Sequence, residues 1–176
     1  MKATVTIGIL GLLLSGGYGP SFAATYEVTA SEYVLIQNEQ GEFRALVDFA
    51  LPEGFQNFDI EMAKLAVYFG PITEVVEMWL FPVTTAWTSQ SAGWNSPWSL
   101  PGGDYDDAHA LGMYVVNGDA PIASFTVTEA LQILQHVGIY RGFIIMPPAY
   151  ERVGFEENLM QGFPQLNGIK LVISTR

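Results

Sequence analysis

Residues 42–51, EFRALVDFAL, alternate in character. Phe43, Ala45, Val47, Phe49 and Leu51 fall on one side, and Glu42, Arg44 and Asp48 on the other. A period of two is the mark of a β-strand with one buried and one wet face. Pro52-Glu53-Gly54 ends it. The same grammar extends outward. Tyr26 to Gln37 (YEVTASEYVLIQ) reads as one or two short strands rich in β-branched and aromatic residues, closed by a turn at Asn38 to Gly41. Ile60 to Phe69 (IEMAKLAVYF) alternates with Ala63, Leu65, Val67 and Phe69 inside and Lys64 and Tyr68 outside. A helix is conceivable at Met62 to Leu65, but the β-branched and aromatic residues that follow favour a strand. Val75 to Val83 (VVEMWLFPV) is apolar on both faces, as a central strand is, with Pro82 near its end where a missing N–H does least harm.

The second half continues in short units. Leu111 to Val116 reads as a strand closed by the tight-turn pair Asn117-Gly118. One helix follows. Thr126 and Glu129 have capping-box spacing, Val127, Ala130, Leu131, Leu134 and Val137 recur at helical spacing, and Gly138 stands where a C-terminal glycine belongs. That apolar stripe is expected to pack on the sandwich. Gly142 to Met146 is a buried strand before Pro147-Pro148. Val153 to Glu156 is a short strand, Asn158 to Pro164 a loop, and Ile169 to Ile173 a last alternating strand. Many short strands, frequent turns and a single short helix indicate an all-β fold, an antiparallel jelly-roll β-sandwich with one short helix.

Residues 1–23 are expected to lie outside that fold. Lys2, the apolar run Ile7 to Leu14, the breakers that follow and the small residues before Ala24 have the layout of a secretory signal peptide cleaved after Ala23. The apolar run is well short of the roughly 20 residues a spanning helix needs. The division is therefore a signal peptide at 1–23 and one domain at 24–176, secreted, with no membrane span in the mature chain. The 176 residues carry a net charge of −11, which disfavours nucleic acid and anionic membrane surfaces. There is no cysteine, hence no disulfide, thiolate metal site or lipid-bearing residue.

Chemistry concentrates in Thr84 to Asp107, TTAWTSQSAGWNSPWSLPGGDYDD, which holds three of the four tryptophans. Trp87, Trp94, Trp98 and Tyr105 offer flat rings that stack on the apolar face of a sugar, and Asn95 an amide for its hydroxyls. The same indoles can fold inward as core anchors, the commoner fate for Trp87 and Trp94. Trp98 and Tyr105, in a Pro/Gly-rich loop, stay open between the two. Asp104, Asp106 and Asp107 could supply oxygens to calcium, with Glu32, Glu156 or Glu157 completing a site in space. The competing reading is a solvated acidic turn with Asp104 accepting backbone N–H groups. His109 and His136 are too far apart in sequence to read as a metal pair. No nucleophile, zinc or P-loop motif occurs, and no carboxylate pair stands out, so the chain is expected not to be an enzyme.

The order of the motifs resembles the DNRLRE domain family, a secreted jelly-roll family related to carbohydrate-binding module family 96. The resemblance rests on SEYVLIQ, FRALVDFALPEGF and AKLAVYF. It continues through Trp87-Thr88 and Trp94-Asn95 at a spacing of seven, PGGDYD at Pro101 to Asp106, and FTVTEAL at Phe125 to Leu131. YRGFIIM, Phe155 and PQLNGIKLVI close it. Asp48 and Phe49 stand in inverted order, Ser89 and Gly93 replace a glutamate and a threonine between the tryptophans, and the helix lacks the family's tryptophan. The resemblance implies a non-catalytic adhesion or polysaccharide-binding module, in some members with bound calcium.

The leading expectation is thus a secreted module that binds an extracellular polysaccharide, with two or more aromatics exposed together. The alternative is a structural or adhesive protein acting through protein contacts or self-association. It predicts buried tryptophans and an apolar patch elsewhere, around Phe143 to Pro148. A hydrolase or lyase would require carboxylates converging in a pocket.

Overall fold

The computed structural model describes residues 23–71, 76–117, 122–147 and 166–176, and the backbone of 5–8. Its strands are β1 (Val5–Gly8), β2 (Ala24–Thr29), β3 (Glu32–Gln37), β4 (Phe43–Asp48) and β5 (Ile60–Phe69). β6 (Val76–Pro82), β7 (Gly112–Val116), β8 (Ile122–Thr126), β9 (Phe143–Met146) and β10 (Leu166–Thr175) follow, with one helix, α1 (Thr128–Val137), between β8 and β9. Two five-stranded sheets form, β1-β2-β10-β5-β8 and β3-β4-β9-β6-β7. We call them sheets A and B; every pairing is antiparallel. Leaving aside β1 and β3, the sheets read β2-β10-β5-β8 and β4-β9-β6-β7. Every connection among those eight except β6–β7 then crosses between sheets, the wrap of a jelly roll. β1 and β3 are additions on the outer side of β2 and β4.

Alternation builds the core between the sheets. Ala63, Leu65 and Val67 of β5 are fully buried, as are Leu171 and Ile173 of β10 and Leu80 of β6. All join one cluster with Val28, Ala45, Val47, Phe125 and Phe143. The ambiguous stretch 60–69 is a strand, because β10 and β8 flank it on both sides and neither would pair with a helix. The chain changes sheets at Ala30-Ser31. There the Ala30 N–H donates to Ile169 O in sheet A, and the Ser31 N–H to Asp48 O in sheet B.

Four expectations are corrected. The polar side of 42–51 is not wet. Leu46 is fully buried on it, and a second apolar cluster covers that face of sheet B. The capping box does not form either. Thr126 ends β8, paired with Lys64, and α1 begins two residues later with Val127 as its cap and no side-chain cap bond. The Thr128 hydroxyl instead accepts the Ala63 N–H at 2.8 Å. The helix is tied down by Leu131 and by amides. Gln132 donates to Ile60 O at 2.9 Å, and Gln135 to Phe55 O and Phe58 O at 2.7 and 2.9 Å. Val137, expected in the packing stripe, is exposed. Gly138 does close the helix in the left-handed region (φ 71°), donating to Leu134 O.

Finally, Phe143 to Met146 is no surface patch: all four residues are buried at the centre of sheet B. Of the stretch expected to lie outside the fold, Val5–Gly8 lies along β2, with Val5 opposite Val28 and Ile7 opposite Tyr26. The expected strand at Val153 to Glu156, the loop after it, Phe155, Pro148 and Gly118 lie outside the described residues.

Candidate functional site

The connection from β6 to β7, which carries the tryptophans, folds back over the outer face of sheet B. Leu46, Ile144, Met146, Ile36 and Phe81 point to this face from four strands, because they alternate with residues of the inner core. An outer face this apolar must be covered, and Trp98, Val83, Trp87, Trp94 and Tyr105 cover it. Trp98 is the central plug, 8% exposed, its Nε1–H donating to Gly93 O at 2.7 Å. The Trp87 Nε1–H donates to Arg141 O at 2.8 Å. Both indoles therefore spend their one polar group on a backbone carbonyl. Trp87, Trp94 and Tyr105 are half-buried, and Asn95 is exposed.

Arg44 locks the loop to the strand. Its guanidinium lies 4.9 Å from the Trp94 ring centre and 5.7 Å from that of Tyr105. Tyr105 packs in turn on Phe81 at 5.1 Å. The Arg44 Nη1 donates to Gly102 O at 2.9 Å, and Nε and Nη2 donate to Glu42 Oε1 at 3.2 and 2.8 Å. Planar, polarisable and permanently charged, an arginine can stack and donate at once where a lysine cannot. Gly102 must be glycine. Its φ is +93°, and a Cβ would stand 2.7 Å from Arg44 Nη1.

Asp104 fixes the tip. It accepts the Ser99 N–H at 2.9 Å, the Leu100 N–H at 3.1 Å, the Ser99 hydroxyl at 2.8 Å and the Thr85 hydroxyl at 2.7 Å. The Ser99 N–H, more than any other group, holds its carboxyl down to about 2 from an ordinary 3.8, with the Thr85 hydroxyl next. This is the acidic-turn alternative for Asp104. Asp106 is within 2.8 Å of His109 Nδ1, and Asp107 is exposed. Glu32, the other calcium candidate described, accepts the Ser89 N–H at 2.6 Å. Among the described residues, no group of three or more acids or histidines is arranged to hold a metal. Glu156 and Glu157 lie outside them.

What projects from this framework is Leu100, 70% exposed between Ser99 and Pro101. Further exposed apolar residues are Tyr33 and Leu35 on β3 and Met113 and Val115 on β7. Sequence reasoning missed Arg44 as the anchor of the aromatic stretch and Leu100 as its exposed apolar tip. One signal was available: Leu46 breaks the polar side of 42–51, and a large apolar residue between Arg44 and Asp48 points to a cover. At the end of β4, Asp48 is pushed up, chiefly by burial. The Tyr140 hydroxyl beside it is buried without a hydrogen bond of good geometry and is also pushed up by burial, and further by the Asp48 charge.

No protein-family model matches the chain, and no curated protein matches it.

Proposed function

We propose that the protein is an exported, non-catalytic interaction domain that docks on a protein partner through the tip of its tryptophan-bearing loop. The reading is carried by Leu100, an exposed apolar side chain on backbone that Asp104 pins at two consecutive N–H groups. Presenting an apolar anchor on rigid backbone lowers the ordering cost of association. The aromatics beneath it support the tip, with the Trp98 and Trp87 N–H groups and the Arg44 stack all used internally. The leader-like sequence of residues 1–23 supports export, and the ordered resemblance to DNRLRE domains supports an adhesive role.

A photo-cross-linking residue at position 100, in cells that secrete the protein, is expected to give one or a few adducts of discrete mass. Adducts no different from those of a label at exposed Glu39 would overturn the reading. Polysaccharide binding stays as a second reading, because Trp87 and Trp94 keep part of their rings at the surface beside exposed Asn95. It predicts a saturable change in tryptophan fluorescence with a soluble polysaccharide, lost in Trp94→Ala. The protein-docking reading predicts emission insensitive to such ligands, with calcium or with chelator.

A further inference from the structure

α1 is docked on the sandwich along a narrow strip. Within the helix only Leu131 is buried, and Leu134 packs partly against the same core. Gln132 and Gln135 fasten it through their amides. Glu129, Ile133, His136 and Val137 are exposed. Ile133 is 54% exposed and Val137 60%, and Ile139, just past the cap, is 56% exposed. Residues four apart are neighbours on a helix surface, so Ile133 and Val137 form one apolar ridge and not two scattered side chains. Nothing local calls for them. β-branched residues are weaker helix formers than the alanine, glutamine or lysine that suits an exposed helical position. An exposed pair of them loses helix propensity and puts apolar surface in water. Such a local inconsistency is expected where a surface is used.

The ridge is complementary to itself. Glu129, Ile133 and Val137 stand at intervals of four, with Ile133 midway. A second copy of α1, laid antiparallel about a twofold axis through Ile133, sets Ile133 against Ile133. It sets Glu129 against Val137 of the second copy, and half-buried Ala130 against His136 of the second copy. The carboxylate in the first turn of one helix then lies beside the imidazole in the last turn of the other, and the opposed helix dipoles meet head to tail. Ala130, with no side chain beyond Cβ, leaves room for that ring. An anionic membrane fits the ridge poorly, because the helix carries neither Lys nor Arg.

We propose that the exposed ridge of α1 is a homodimer contact, in which two copies of the chain pair α1 on α1, antiparallel, about Ile133. Such a contact is isologous, so it closes on itself and stops at two. Few side chains meet in it, which places it among weak, reversible associations. The net charge of −11 on each copy opposes it at long range. Salt screens that repulsion and leaves the apolar centre untouched, so the dimer should tighten as salt is raised. The contact uses no residue of the tryptophan-bearing loop. A dimer would therefore carry two Leu100 tips, and a partner able to engage both would be held more tightly than by either alone.

The test is sedimentation equilibrium of the full chain, which is expected to show a monomer–dimer equilibrium. Ile133→Gln, which keeps a good helix former at an exposed position, should weaken the dimer at least about tenfold with the thermal midpoint unchanged. His136→Glu should weaken it severalfold, by facing two acids at each end, and adding Glu129→Lys should restore it. Only the antiparallel pairing predicts that rescue. The chain has no cysteine, so Ile133→Cys introduces a single thiol, and on the twofold axis it should cross-link to itself under mild oxidation. Gln40→Cys, at an exposed turn far along the chain, should not. A monomer at every concentration up to about 1 mM, a dimer indifferent to Ile133→Gln, no rescue of His136→Glu by Glu129→Lys, or cross-linking no better at position 133 than at position 40 would each overturn the proposal.

Discussion

Sheet B has two cores, one on each face, and they are made differently. The inner one is built from strand residues, each delivered by local alternation and each without a polar group to satisfy. Leu65, Leu80, Val47 and Leu171 are representative. The outer one is a loop laid on a sheet. Its plugs are large aromatics, and its fastenings are hydrogen bonds and a stacked guanidinium that join residues far apart in the chain, Arg44 to Gly102 and Trp87 to Arg141. A core of the first kind needs the right period and volume. One of the second kind needs particular residues at particular places, because each N–H and each charge buried with it must find its partner.

The comparison breaks if the outer core is only a decoration. Trp98→Ala is expected to cost about 3–5 kcal/mol, in the range of Leu65→Ala, and to lower a single cooperative transition in urea. Two transitions, with the sandwich melting at its original midpoint, would mean the loop folds as a separate layer. Arg44→Gln comes next, at about 1–3 kcal/mol, because it removes the stack on Trp94 and leaves Gly102 O and Glu42 without their donor. Its signature is local: amide exchange should quicken at Gly102 to Asp104 before it does in β5.

A smaller effect separates Asp104 of the loop from Asp48 of β4 by sign. Asp104 titrates lower in the folded chain than in the unfolded one. Its contribution is present above pH 3.8 and lost as pH falls toward about 2. Asp48 is raised by burial, so its protonated form favours the fold at low pH, and that favour is lost as pH rises through its elevated folded value. Asp48→Asn should therefore raise the thermal midpoint at pH 7 and leave it unchanged at pH 3. Asp104→Asn should lower it at pH 7 and bring it closer to the natural chain near pH 2. Thermal melts across that range check both. The smallest effect is Tyr140→Phe, within about 1 kcal/mol of neutral, since the buried hydroxyl it removes makes no hydrogen bond of good geometry to the Asp48 carboxylate beside it.

The same contrast explains what could be read from the chain. The strands at 42–51 and 169–173 announce themselves, because period-two patterning is a local property, and 60–69 favours a strand over a helix only by its β-branched and aromatic residues. β8 was hidden. Its residues Ile122 to Thr126 alternate, but Thr126 and Glu129 also imitate a helix start, and only pairing with β5 decides between them. The aromatic loop could be located but not oriented. Whether Trp98 faces in or out depends on Leu46 and Ile144, which the chain brings near it only through the fold. Arg44 read as a solvent-facing strand residue because its partners lie in a loop that had no assigned position.

Ala24 stands directly opposite Thr175 on the adjacent β10. The N-terminal end of β2 and the C-terminal end of β10 therefore leave the sheet side by side. A pull between them would load the β2–β10 hydrogen bonds one at a time, like a zipper, instead of all together in shear. A pull on opposite ends of the two strands would instead run along them and load the full row of bonds at once. The same pair is thus a joint that peels easily or one that resists tension, depending on which ends are held.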